Sequence, residues 1–229
     1  MLEMLFIQFS DLLNPEFYIH NGGFYLILFI VFAETGLFAG FFLPGDSLLF
    51  VAGIYSLELV NEVVATDNEY FALLFLMLAI SLAGVVGNTV GYWFGRKSGP
   101  FLFHRKDTFF FKKKYLYQAK DFYDLHGGGA IVFARFLPIV RTFAPIVAGI
   151  VQMDKKKFAF YNIIGCIAWV FSMLFAGHFL YAFFKKQFGF DLKEHLELIV
   201  LGIVLITTLP VLIKLIFGKV KNTGLHKPE

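Results

Sequence analysis

Two carboxylates and two guanidiniums lie inside long apolar runs of this chain, each close to a helix-breaking proline. Glu34 and Asp46 bracket Pro44 in FYLILFIVFAETGLFAGFFLPGDSLLFVAGIYS. Arg135 and Arg141 bracket Pro138 in GGAIVFARFLPIVRTFAPIVAGIVQM, with Pro145 beyond. A charged side chain at membrane depth costs roughly 2.5–3.5 kcal/mol even on lenient insertion scales, so it needs a partner, a cavity or a task. Acids in one broken run and arginines in another point to one shared polar site in the bilayer, and to transport before enzymology.

Each group has a chemistry of its own. Arginine stays charged, and its planar fork fits two phosphate oxygens, so Arg135 and Arg141 together suit a lipid monophosphate. The competing reading pairs each arginine with Glu34 or Asp46 merely to hold the segments together, although desolvation makes a buried pair a poor stabiliser. Glu34 sits ten residues before Pro44 in an apolar half-helix. Burial and a nearby arginine act on a carboxyl in opposite senses, which suits a group that exchanges a proton. Asp46 reads equally as a helix cap, because Pro44-Gly45-Asp46-Ser47 precedes an apolar stretch and either Asp46 or Ser47 can accept free backbone N–H groups. Thr142 is expected to cap in the same way after the second break. Half-helix N-termini add partial positive charge that suits an anion.

The elements that hold these groups are helices in a bilayer. The chain has 229 residues, 58% hydrophobic, with 21 glycines and 32 phenylalanines, and its mean hydropathy is +0.71. That is the profile of an all-α polytopic membrane protein, and the length leaves room for one membrane domain, 1–229, without a separate soluble one. The single cysteine, Cys166, reads as a small packing residue. No metal or cofactor motif is present: there is no CxxC, HExxH, Walker loop, GxGxxG with strand context or Ser-His-Asp order. Residues 1–13 lack the basic start of a signal peptide and read as a short amphipathic segment at the interface.

Charge sets the expected sidedness. Every Lys and Arg lies at or beyond Arg96, whereas residues 1–95 carry acids only. The basic loop 96–126 is therefore expected in the cytoplasm and the acidic loop 58–69 on the other side. Its FFFKKKYLY stretch fits lipid headgroups or a topology signal rather than nucleic acid. Arg96, beside Tyr92 and Trp93, reads as an interface anchor. Residues 70–95, 158–184 and 196–218 are long enough for full spans. Residues 24–57 are too long for one helix and too short for two, and residues 128–153 carry Pro138 centrally, so each is expected to hold a re-entrant hairpin. Asp154, Lys155, Lys156 and Lys157 return the second hairpin to the cytoplasmic side. The outer loop with Lys185, Lys186 and Lys193 runs against this scheme and is outvoted by the larger basic clusters.

The halves look alike. Phe42-Leu43-Pro44 precedes Val51-Ala52-Gly53, and Phe136-Leu137-Pro138 precedes Val147-Ala148-Gly149. With opposite topologies this predicts an inverted repeat of two opposed hairpins: first half about 24–95, cytoplasmic loop 96–126, second half about 128–184, and a last transmembrane helix about 196–218 that leaves the C-terminus cytoplasmic. Gly87, Gly91 and Gly95 share one helix face, with Asn88 beside them, and are expected to pack helices closely.

The stretches FAETGLFAGFFLPGDSLLFVAG, GNTVGYWFGRKSG, FARFLPIVRTFAPIVAG and NIIGCIAWV resemble the DedA family, also called the SNARE-associated or VTT-domain superfamily, over about residues 33–169. The resemblance implies an integral protein of the bacterial inner membrane with two facing re-entrant hairpins. It implies a role in moving lipids, notably recycling undecaprenyl phosphate, with dependence on the proton-motive force; eukaryotic relatives scramble glycerophospholipids. The acids that members require match Glu34 and Asp46, and the required arginines match Arg135 and Arg141.

The expected function is thus a proton-linked flippase for a polyprenyl phosphate, with membrane lipid and protons as partners, no cofactor and no nucleic acid. A homo-oligomer is compatible with this organisation. Alternatives within transport are a glycerophospholipid scramblase and a proton-coupled small-ion antiporter. An intramembrane lipid phosphatase is the distant alternative: Ser47 and Thr142 are candidate nucleophiles, but no histidine lies beside either. A purely structural membrane organiser would not require the four charges.

Overall fold

The computed structural model describes residues 15–37, 45–104 and 113–189, together with Gly202. Among these residues the fold is all helical. The order is α1 (Pro15–Gly36), α2 (Gly45–Ile54), α3 (Ser56–Asn61), α4 (Glu69–His104), α5 (Lys113–His126), α6 (Gly129–Ala134), α7 (Pro138–Ile150) and α8 (Lys155–Phe188). The amphipathic segment 1–13, the Pro44 tip and the expected span 196–218 lie outside the described residues.

Two helices are long and apolar enough to cross a membrane, Glu69–Phe101 and Lys155–Phe188. They contain the expected spans 70–95 and 158–184. The 36 residues of α4 and 34 of α8 correspond to about 50 Å each at 1.5 Å per residue, well beyond a hydrocarbon core of about 30 Å. Asp154 starts α8 as its N-cap, accepting from the Lys157 N–H at 2.9 Å. That bond holds the Asp154 carboxyl below its ordinary value. Gly189 closes the helix in the left-handed conformation.

The second apolar run is broken where Pro138 suggests, but the chemistry of the break differs from expectation. In the second run, α6 ends at Ala134, Arg135 is its C-cap, and Pro138 opens α7 after the extended Leu137. Proline fits the first helical position because its missing N–H would be unpaired there. Thr142 is therefore no cap: Leu137 holds that place, and Thr142 is buried a turn inside α7. Pro145, inside α7, removes the bond that the Arg141 carbonyl would otherwise accept. In the first run, α1 bends at Gly23, whose positive φ of 51° suits glycine. The helix restarts at Phe24, which donates its N–H to Glu62 Oε2 at 2.8 Å. A carboxylate at a helix start is favourable, so Glu62 does more than mark an acidic loop.

The stretch 96–126 is not an irregular loop. Helix α4 continues through it to His104, and α5 occupies its second part. Helix α5 is amphipathic, with Lys120 and Asp124 paired at 3.5 Å on the exposed side. Tyr123, on the other side, donates to the Ala144 oxygen of α7 at 2.9 Å, and burial raises this hydroxyl well above its ordinary value. Arg96 is also tied inward: it donates to Met153 O at 3.0 Å and to Tyr92 OH at 2.6 Å. It locks α4 to the turn after α7.

The core is made by exchange between halves. Helix α2 packs on α8, and α7 packs on α4. In the first crossing a Cβ on Gly53 would overlap the Leu174 carbonyl, and one on Gly177 would overlap that of Phe50. In the second, Gly149 meets Tyr92 and Gly95 meets Ile146 in the same way. Both crossings are antiparallel, and in both the contacting residues are spaced alike: 50 and 53 against 174 and 177, 146 and 149 against 92 and 95. Gly87 lies against Phe32, Thr35 and Gly36 of α1, and Gly91 against Pro145 and Ile146, so the glycine face of α4 meets both broken runs.

Candidate functional site

Six elements converge on one buried polar centre, α4 among them through Asn88. Glu34 comes from the last turn of α1, Asp46 from the first turn of α2, Arg135 from the end of α6, Arg141 from the start of α7, and Asn162 and Trp169 from α8. Glu34 is 2% exposed, Arg135 4% and Arg141 8%. These residues are far apart in sequence, and only the packing of α2 and α6 on α8 and of α1 and α7 on α4 brings them together.

Arg141 is held by both acids. Its Nη2 donates to Glu34 Oε1 and its Nη1 to Asp46 Oδ1. The guanidinium also lies over the Trp169 ring, 4.9 Å from its centroid, and Trp169 Nε1 donates to the same Asp46 oxygen at 2.8 Å. Asp46 is thus engaged with Arg141 and Trp169, although it stands in a helix's first turn where capping was the alternative expectation. The second carboxylate oxygen of Glu34, Oε2, packs against Gly45, where a Cβ would overlap it, and has no hydrogen-bond partner among the described residues. Gly45 therefore makes room for the acid. Ser47 is buried in the same turn of α2.

Arg135 is held differently. Among the described residues no carboxylate pairs with it. Its Nη2 donates to Asn162 Oδ1 at 2.5 Å and lies 3.4 Å from the Asn162 backbone oxygen. Its side chain passes Gly165, and Cys166 lies beside it. Asn88 of α4 reaches the same place. With its amide oxygen towards the guanidinium it accepts from Arg135 and donates to Thr35 O at 3.1 Å; in the opposite orientation it donates to Asn162 Oδ1 at 2.8 Å. Asn88 is thus part of the polar centre as well as of the glycine face.

Asn162 and Trp169 were missed as site residues. A signal existed: positions 162, 166 and 169 follow helical spacing on one face of an otherwise apolar span, and all three are fully buried. Among the described residues, no group of His, Cys, Asp and Glu could hold a metal ion. His178 packs against Tyr70, and His126 bonds to Phe122 O in its own helix.

A family model described as the VTT domain matches residues 43–179, a stretch that includes Asp46, both arginines, Asn162 and Trp169 and begins after Glu34. Protein DedA of Escherichia coli K12 is 42% identical over 197 residues, covering 85% of this chain and 83% of that protein. An uncharacterized membrane protein of Mycobacterium tuberculosis is 35% identical over 209 residues, covering 89% and 86%. Inner membrane protein YqjA of Escherichia coli K12 is 31% identical over 184 residues, covering 79% and 77%. No solved structure matches the chain significantly.

Proposed function

We propose, from the premise that this chain belongs to the VTT-domain family of DedA-like membrane proteins, that it carries an anionic lipid across the bacterial inner membrane in a proton-linked cycle. The substrate in this reading is a polyprenyl phosphate such as undecaprenyl phosphate. The observation that carries the reading is the unequal holding of the two arginines. Arg141 is paired with both Glu34 and Asp46, whereas Arg135, as deeply buried, has only neutral partners among the described residues. A buried cation without a counter-charge is costly, and an anionic headgroup supplies one.

Charge balance gives the proton its part. With both acids ionised, Glu34, Asp46, Arg135 and Arg141 sum to zero. Each negative charge that a phosphate adds in this low-dielectric place is offset if an acid takes a proton. Glu34 is the natural acceptor, because its Oε2 has no hydrogen-bond partner among the described residues. Once protonated, Glu34 releases its hold on Arg141, which can then join Arg135 at the phosphate. The site acts by binding and release, with no covalent step.

In this reading the breaks between α1 and α2 and between α6 and α7 are the tips of two opposed re-entrant hairpins. Helices α4 and α8 are full spans, residues 196–218 form a third, and the C-terminus is cytoplasmic. The matched glycine crossings of α2 with α8 and α7 with α4 support an inverted repeat. A groove of about 790 Å³ along α4, lined by Val85, Val86, Thr89, Val90, Trp93 and Phe94 among others, offers a place for a hydrocarbon chain. Its inner end is near the polar centre, since Thr89 Oγ1 lies 3.4 Å from Asn162 Nδ2. A glycerophospholipid scramblase is the second reading, because a phosphodiester carries one negative charge and Arg135 is one cation without a paired carboxylate among the described residues.

Mass spectrometry of lipid retained by the purified protein tests the proposal. Phosphate-bearing lipid is expected with the wild type and less of it with Arg135→Lys, which keeps the charge but loses the fork. Undiminished retention by the Arg135→Ala, Arg141→Ala double variant overturns it.

A further inference from the structure

The face of α8 that meets Arg135 is built without charge. Asn162 is fully buried and presents Oδ1 to Arg135 Nη2 at 2.5 Å. Its amide nitrogen is fixed in turn, donating to Val85 O at 3.1 Å and to Thr89 Oγ1 at 3.4 Å. These acceptors decide which end of the amide faces the guanidinium. Gly165, three residues on, leaves the side chain its room: a Cβ there would lie 3.1 Å from Arg135 Cδ and 3.3 Å from Nε. Arg135 Nε has no partner among the described residues although the residue is 4% exposed. Arg141 shows the alternative within the same molecule, a guanidinium whose forward nitrogens are both occupied by carboxylates.

We infer that Asn162 is the positioning residue of an anion seat: it orients Arg135 through a neutral acceptor and so leaves the guanidinium's charge to the anionic headgroup of a lipid. The inference rests on the anionic-lipid reading above. An aspartate has nearly the shape of asparagine and would hold Arg135 by a stronger, charge-assisted bond. It would also cancel the charge that the ligand needs, so better holding would mean weaker binding. A scaffold asparagine has no such conflict, and the two roles give opposite results for one substitution.

The test is a titration of the purified full-length protein in detergent with geranylgeranyl phosphate, with geranylgeraniol as the uncharged control. The variants are Asn162→Asp, Asn162→Ala, Arg135→Ala and the Asn162→Ala, Arg135→Ala double variant. Asn162→Asp is expected to weaken phosphate binding by about tenfold to a hundredfold, the size of a lost charge-assisted contact, and to leave geranylgeraniol binding unchanged. Asn162→Ala is expected to weaken phosphate binding in the wild-type background and to add nothing once Arg135 is gone, because it acts through that residue. Wild-type phosphate affinity in Asn162→Asp, or additive losses in the double variant, overturns the inference. Should Asn162→Asp fail to fold, the double-variant cycle decides alone. If Arg135→Ala binds phosphate as the wild type does, the anionic-lipid reading itself has failed. If Arg135→Ala loses phosphate and Asn162→Asp keeps it, only the role of Asn162 is wrong.

Discussion

Replacing Arg141 by methionine separates what the charge cluster does for the fold from what it does for function. Arg141 faces Glu34 and Asp46 at once, and the side chains are 8%, 2% and 12% exposed. Its removal leaves two buried carboxylates without a cation, while Trp169 Nε1 still reaches Asp46. Breaking a buried pair by removing one partner costs about 3–5 kcal/mol, and here two acids lose the same partner. Arg141→Met should therefore lose about that much stability, or keep it only by taking up protons. The Glu34→Gln, Asp46→Asn, Arg141→Met triple variant strands neither carboxylate and leaves Arg135 on the neutral partner Asn162. Replacing a buried ion cluster by neutral groups of similar size is often neutral or stabilising by ~1–4 kcal/mol, so the triple variant should recover wild-type stability or exceed it. Both variants should be inactive in transport. Unfolding in mixed micelles measures the first quantity and lipid flux in proteoliposomes the second. A single variant as stable as the wild type, with no proton uptake on the substitution, would mean that the cluster is solvated rather than buried. A triple variant that still transports would mean that these three charges belong to the scaffold.

Three further outcomes follow from the same geometry. Glu34→Gln keeps the shape of the side chain and should fold, yet its flux should no longer vary with pH; a wild-type rate and pH profile would reduce Glu34 to a structural partner of Arg141. Asp154→Ala should lower stability only where the carboxylate is charged: the folded group is held below its ordinary value by the Lys157 N–H, so its contribution is complete above the unfolded pKa and fades as pH falls through the folded one. Equal unfolding of variant and wild type at neutral pH would remove Asp154 as a working cap. Single cysteines at positions 104 and 155 should label from the same side of the membrane and one at position 66 from the other; opposite labelling of 104 and 155 sinks the re-entrant reading of 128–153.

The long helices were legible because an apolar run of sufficient length has few other solutions in a bilayer. Pro138 marked the second break for a similar reason, since its effect is local. What could not be read was the partnering across the breaks. Arg135 and Arg141 stand symmetrically about Pro138 in sequence, yet one falls at a helix end facing α8 and the other a turn inside α7 facing both acids. That difference is set by packing between halves. Thr142 was expected to cap because it follows the break, but the helix starts earlier, at proline, which needs no cap bond for its own nitrogen. The segment 96–126 read as loop because its charges dominated its composition, whereas α5 hides Tyr123 on the other side of a short amphipathic helix.

Transbilayer movement of a prenyl phosphate in proteoliposomes tests the central proposal most directly. Geranylgeranyl phosphate loaded on one side should cross faster with the wild-type protein than in protein-free vesicles, respond to an imposed pH gradient, and cross at the protein-free rate with Arg135→Ala. Movement in wild-type vesicles no faster than in protein-free ones, or the same with and without Arg135, would contradict it.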